Sequence, residues 1–161
     1  IHGFLVNGKT LGSENAREIF DRARLSLNNT KYNITVIGFN WDSNITVQVK
    51  EWEIAKDVAK SNGLKLAQFI LDFKKDCPNT DIRLIAHSLG SRIVLSSLDF
   101  LNKNPEWNNK NFKIESLHLL GAAVDNEEVS KDPFDIVKSY VVIFITPICK
   151  TSVILIPCFS L

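Results

Sequence analysis

The segment "IRLIAHSLGSRIVLSSL", residues 82–98, changes periodicity without a linker: an apolar run at 82–87 stops at His87-Ser88-Leu89-Gly90, and an amphipathic run over 90–102 begins at once. A short apolar run with β-branched residues reads as a buried strand, and the following pattern reads as a helix. A strand that feeds directly into a helix belongs to a βαβ crossover, the unit from which parallel sheets are built.

The rest of the chain repeats that alternation. In "GSENAREIFDRARLSLNN", Ala16, Ile19, Phe20, Ala23 and Leu27 recur at helical spacing, with Ser13 or Asn15 as N-cap and Glu18 three residues after Asn15. "YNITVIGFNW", 32–41, is nearly continuous in apolar character and predicts a strand buried on both faces. "VQVKEWEIAKDVAKSNGLKLAQFILDFKKDCP" predicts one or two helices, with a break near Gly63 and an end before Pro78. "FKIESLHLLGAAVD", 112–125, predicts a strand closing on Gly121. This order gives an α/β fold, a three-layer α/β/α sandwich around a mostly parallel sheet, with the active site beyond the C-terminal ends of the strands.

Composition narrows the partners. A net charge of +1 with 23% charged residues lacks the basic excess that nucleic acid or acidic lipid would demand. Cys77, Cys149 and Cys158 form no C-x-x-C pair, so neither a zinc site nor a disulfide framework is predicted. No cofactor is called for. The sequons at Asn28, Asn33 and Asn44 read as products of an Asn-rich composition, and Asn33 sits at the mouth of a predicted strand.

From Ser139 the character changes: "SYVVIFITPICKTSVILIPCFSL" carries a single charged residue, Lys150. The expected organisation is a core domain over 1–138 and an apolar tail over 139–161, with a buried strand at 140–146. Pro147, Lys150 and Pro157 interrupt the tail, so a membrane-spanning helix of roughly 20 apolar residues is not expected. A cytoplasmic location is expected. The chain opens "IHGFLVNG" as if a strand were already under way and contains no methionine, so it is expected to lack both natural ends.

Small-x-Ser-x-Gly at a strand-to-helix corner is the setting of a nucleophile elbow. So sharp a turn demands small residues two before and two after the serine, and Ala86 and Gly90 meet that demand. Such a turn lifts the Ser88 hydroxyl clear of the sheet at the positive end of the next helix, where the Leu89 N–H can donate to a developing oxyanion. The structural alternative is that Ser88 merely caps the helix. A second glycine, in His2-Gly3-Phe4, sits where an earlier strand would end, and would let backbone N–H groups approach a substrate carbonyl.

On "HGF" at 2–4, "VIGFNWDS" at 36–43, "IRLIAHSLGSRIVLSSL" at 82–98 and "LHLLGAAVD" at 117–125, the chain resembles the α/β-hydrolases, of the small lipase and serine-esterase type. The resemblance implies Ser88 as nucleophile and an oxyanion hole from the backbones of Phe4 and Leu89. It also implies the chain order Ser, acid, His. Asp125 follows Gly121 after the next strand and is the expected acid, with Asp132 and Asp135 weaker candidates. The base is the missing member. His118 is the single histidine after Ser88, and its place about 10 Å below the strand end marks it as a core residue. His87 and His2 precede the nucleophile.

The expected activity is cleavage of carboxylic esters through an acyl-enzyme on Ser88, with a small-molecule acyl ester as partner and no metal. The alternative is a catalytically inactive α/β-hydrolase-fold module that binds or scaffolds, lacking the catalytic His. The connection "NKNPEWNNKN" after the elbow helix is short and polar, which points to small or soluble substrates. Oligomeric state is not legible.

Overall fold

Three apolar runs far apart in sequence become neighbours in one sheet. The computed structural model describes residue 1 and residues 12–28, 34–41, 43, 49–124, 135–143 and 153–154. Its strands are β1 (Arg83–His87), β2 (Ser116–Leu120), β3 (Tyr140–Ile143) and β4 (Val153–Ile154), in that order across the sheet. β1 pairs parallel with β2, with Ala86 opposite Leu119 and His87 opposite Leu120; β2 pairs parallel with β3, and β4 returns antiparallel. The fold is α/β with a mostly parallel sheet, as the alternation of strand and helix predicts. On the free edge of β1, the Ile1 nitrogen donates to the Ile85 carbonyl at 2.8 Å and the His87 N–H donates to the Ile1 carbonyl at 3.1 Å. That is a parallel rung with Ala86. Ile1 thus pairs along the edge of β1 that β2 does not use.

The helices are α1 (Gly12–Asn28), α2 (Val49–Asp76), α3 (Gly90–Asn102) and the short α4 (Pro105–Asn109). α3 supplies the crossover between β1 and β2. Its buried residues Ile93, Val94, Leu98 and Leu101 share one core with Leu84 and Ala86 of β1 and Leu117 and Leu119 of β2. The other face of the pair carries Ile85, His87, His118 and Leu120, all exposed or half-buried.

α2 is continuous, about 42 Å long at 1.5 Å per residue, and does not break at Gly63. Ala55, Ala59, Gly63 and Ala67 recur every four residues along it, and all four are buried. This ridge of small residues lets α3 approach closely. A Cβ on Gly63 would lie 2.5 Å from the Ser96 Cβ, and the Ser96 hydroxyl donates to the Lys60 carbonyl at 2.8 Å. Gly63 is thus a packing residue, and the helix propensity it lacks is offset by the contact it permits.

The strand expected at 32–41 is not formed over its described part: residues 32–33 lie outside the described residues, and no residue of 34–41 joins a ladder. Ile37 is 56% exposed, whereas Trp41 is buried. A strand exists through its partner, and apolar, β-branched character alone does not supply one. Gly38 instead lies against the Phe20 ring of α1, close enough that a Cβ there would collide with it.

Candidate active site

The corner between β1 and α3 has the geometry that its sequence suggests. Ala86 is fully buried on the core face, Gly90 opens α3 and is buried, and Ser88 stands between them with φ at 51°. A left-handed φ is uncommon for a residue other than glycine, asparagine or aspartate, and is a place where strain is stored at functional sites. Among the described residues only Asn111 shares this feature outside glycine.

Helix capping does not explain Ser88. The N-cap of α3 is Leu89, in right-handed conformation, and no side chain caps the helix. Among the described residues, nothing hydrogen-bonds to the Ser88 hydroxyl or accepts from the Leu89 N–H. The half-buried Ser88 hydroxyl is thus left without a partner among the described residues at the positive end of a 13-residue helix, whereas Leu89 is fully buried. Ser88's own backbone is fully engaged: its N–H donates to the Leu120 carbonyl at 2.9 Å, and its carbonyl accepts from Ser91 N–H at 3.0 Å and Ala123 N–H at 3.2 Å. Ser91, one turn into α3, is completely buried, and its hydroxyl has no partner among the described residues.

Other candidates separate by position. Phe4 and Asp125 lie outside the described residues, as do His2, Gly3 and Asp132. His118 stands opposite Ile85, further down the strand than the His87–Leu120 pair from which the elbow departs. It is half-buried on the face away from α2 and α3, so it is not the core residue that its mid-strand place suggested. His87 is exposed on that same face. Asp135 belongs to the opposite end of the sheet: its carbonyl accepts from Lys113 Nζ at 2.8 Å, and the next residue, Ile136, accepts from the Ile114 N–H ahead of β2. It is remote from Ser88.

Residues 11–147 match the family model of the alpha/beta hydrolases of unknown function, DUF900. The chain belongs to this family. Comparison with curated proteins and comparison with solved structures each gave no match. The left-handed Ser88 lies at the corner between β1 and α3, within the matched residues. Among the described residues no group of three or more His, Cys, Asp or Glu is gathered as metal ligands, and no helix is long and apolar enough to cross a membrane.

The connection "NKNPEWNNKN" does not border Ser88. That stretch includes α4 and joins the far end of α3 to the start of β2, where the Glu115 N–H meets the Ile82 carbonyl at 2.8 Å. It lies at the N-terminal end of the sheet, away from Ser88, so its polarity carries no message about substrate size. The backbone contacts of Leu120 and Ala123 with Ser88 have little trace in the sequence. Their only signal was a glycine, Gly121, in the segment that follows the strand.

Proposed function

We propose that the protein is a serine hydrolase that cleaves carboxylic esters, with Ser88 as nucleophile. The observation that carries the reading is the left-handed Ser88, whose hydroxyl is spared from capping at the N-terminus of α3. In the proposed reaction Ser88 Oγ attacks the ester carbonyl and loses its proton to a general base. The Leu89 N–H, with the backbone of Phe4, stabilises the resulting oxyanion, and the alcohol leaves with the returned proton. Water then attacks the acyl-serine, giving the carboxylic acid and free Ser88. Asp125 is the proposed acid that orients the base. A small-molecule ester is the proposed substrate class.

The test is covalent labelling with a fluorophosphonate, mapped by mass spectrometry, alongside hydrolysis of p-nitrophenyl butyrate. Modification of Ser88, lost with Ser88→Ala together with esterase turnover, is the expected result; loss of a triad member lowers turnover by several orders of magnitude. A folded chain that neither labels nor hydrolyses would overturn the reading and favour a binding module on the same fold.

A further inference from the structure

Ser88 holds its conformation through a second segment, residues 120–123. In a regular parallel ladder, a residue whose N–H bonds the carbonyl of residue 120 would accept at its own carbonyl from the N–H of residue 122. The Ser88 N–H does bond the Leu120 carbonyl, at 2.9 Å, but the Ser88 carbonyl accepts from Ala123 at 3.2 Å, one residue later. One extra residue has been inserted opposite the elbow. It sits where Gly121 has φ at 55°, a conformation that side-chain-bearing residues rarely adopt. β1 and β2 end at His87 and Leu120, so this is a left-handed glycine turn that re-aims the backbone as the chain leaves β2.

We infer that Gly121 is a positioning residue for the Ser88 nucleophile: its left-handed turn brings Leu120 C=O and Ala123 N–H onto the two backbone polar groups of Ser88 and so clamps the elbow. The inference rests on Ser88 being the nucleophile. With both groups held, the backbone of Ser88 cannot relax to right-handed φ without breaking two hydrogen bonds to β2 and its extension.

The variants are Gly121→Val, whose branched side chain disfavours left-handed φ, and Gly121→Asn, which tolerates it; Gly121→Ala replaces the valine variant if that chain does not fold by circular dichroism. Two measurements are made on the full chain. Amide hydrogen exchange should show the Ser88 and Ala123 N–H groups losing protection in Gly121→Val but not in Gly121→Asn, while the amides within α3 remain as in the parent. Fluorophosphonate kinetics should show the maximal labelling rate of Gly121→Val falling by about tenfold or more, with little change in the half-saturating probe concentration, since small misplacements of a nucleophile are costly in rate. A loss of overall stability alone would not divide the two constants in that way. Unchanged protection at both amides in a folded Gly121→Val overturns the inference, as does an unchanged maximal rate. A parent chain that does not label at all removes the nucleophile reading instead, and the exchange comparison then decides the clamp by itself.

Discussion

At the N-terminal end of β1 and β2, side chains stitch the connections together. Lys74, 6% exposed at the end of α2, donates to the Pro78 and Thr80 carbonyls at 3.1 and 2.8 Å and lies over the Phe112 ring. Arg83 donates to the Ser116 hydroxyl, and Glu115 meets Arg83 and Lys138. At the C-terminal end of the same strands the hydroxyl of Ser88 has no partner among the described residues, and its backbone sits at φ 51°. Asn111, with the same φ, shows that the angle alone is not the message. Asn111 follows α4 in a turn, where its N–H meets the Asn108 carbonyl, and asparagine tolerates this region. Ser88 has no such intrinsic preference. It is held by its surroundings, at a cost of about 1–3 kcal/mol. Stability is gathered at one end of the sheet, and strain with an available hydroxyl is kept at the other.

The sharpest way to break this contrast is Lys74→Met, which keeps the packing of the aliphatic stem and removes the donors. Hydrogen bonds from a charged group contribute about 1.5–3 kcal/mol, so urea unfolding should show a loss of about 2 kcal/mol. The rate of fluorophosphonate labelling at Ser88 should not change while the chain is folded. A Lys74→Met chain that keeps its stability but labels more slowly would show that the two ends are not independent.

A smaller effect tests the strained end. Ser88→Gly should abolish labelling and raise stability by about 0.5–1 kcal/mol, because relief of the left-handed backbone outweighs the added freedom of the unfolded chain. Asn111→Gly should change stability by only a few tenths, since asparagine is less penalised there. Equal effects of the two substitutions would show that Ser88 is no more strained than an ordinary turn residue.

What the sequence made legible was local. β1 and α3 are encoded by contiguous patterns, and the elbow needs only Ala86, Ser88 and Gly90 in their places, so its backbone followed from the segment itself. α2 was harder, because glycine is a poor helix former. The clue to its continuity was the recurrence of Ala55, Ala59, Gly63 and Ala67, which has meaning only once α3 lies against them. α4 was overlooked although Asn104 and Pro105 form a start signal: the Asn104 side chain accepts from Glu106 and Trp107 N–H groups behind a proline at the first helical turn. Its Trp107 is completely buried and meets Phe112 edge-on, so a stretch read as polar connection contributes to the core. The run at 32–41 failed in the opposite sense, with strand-like composition and no ladder over its described residues 34–41. The clamp on Ser88 was not legible either, since it joins residues more than 30 apart through backbone atoms that leave little trace in side-chain pattern. A catalytic base is likewise defined by where a histidine arrives in space, which neither spacing nor chain order fixes.

The smallest effect concerns pH and belongs to the stitched end. The Lys138 ammonium, hydrogen-bonded to Glu115, holds the Glu115 carboxyl below its ordinary value of 4.5, with Arg83 and Lys74 adding to the attraction and desolvation opposing it. Glu115 in turn raises Lys138 above its ordinary 10.5. A carboxyl depressed in the folded state contributes stability that is complete above its unfolded value and is lost as pH falls through the folded one. The acid limb of the stability profile should therefore drop below pH 4.5 more steeply in the parent than in Glu115→Gln. A raised lysine contributes stability below its unfolded value that is lost as pH rises through the folded one, so the same variant should also flatten the profile above pH 10.5. Lys138 is exposed and Glu115 half-buried, and about 1 M salt, with a Debye length near 3 Å, should shrink the difference on each limb. If salt leaves the difference intact, the profile is not set by this ion pair and the stitched end owes its stability to Lys74 and the packing around Phe112. Labelling at Ser88 in Glu115→Gln, measured near neutral pH, should match the parent, because the pair lies at the end of the sheet that the elbow does not use.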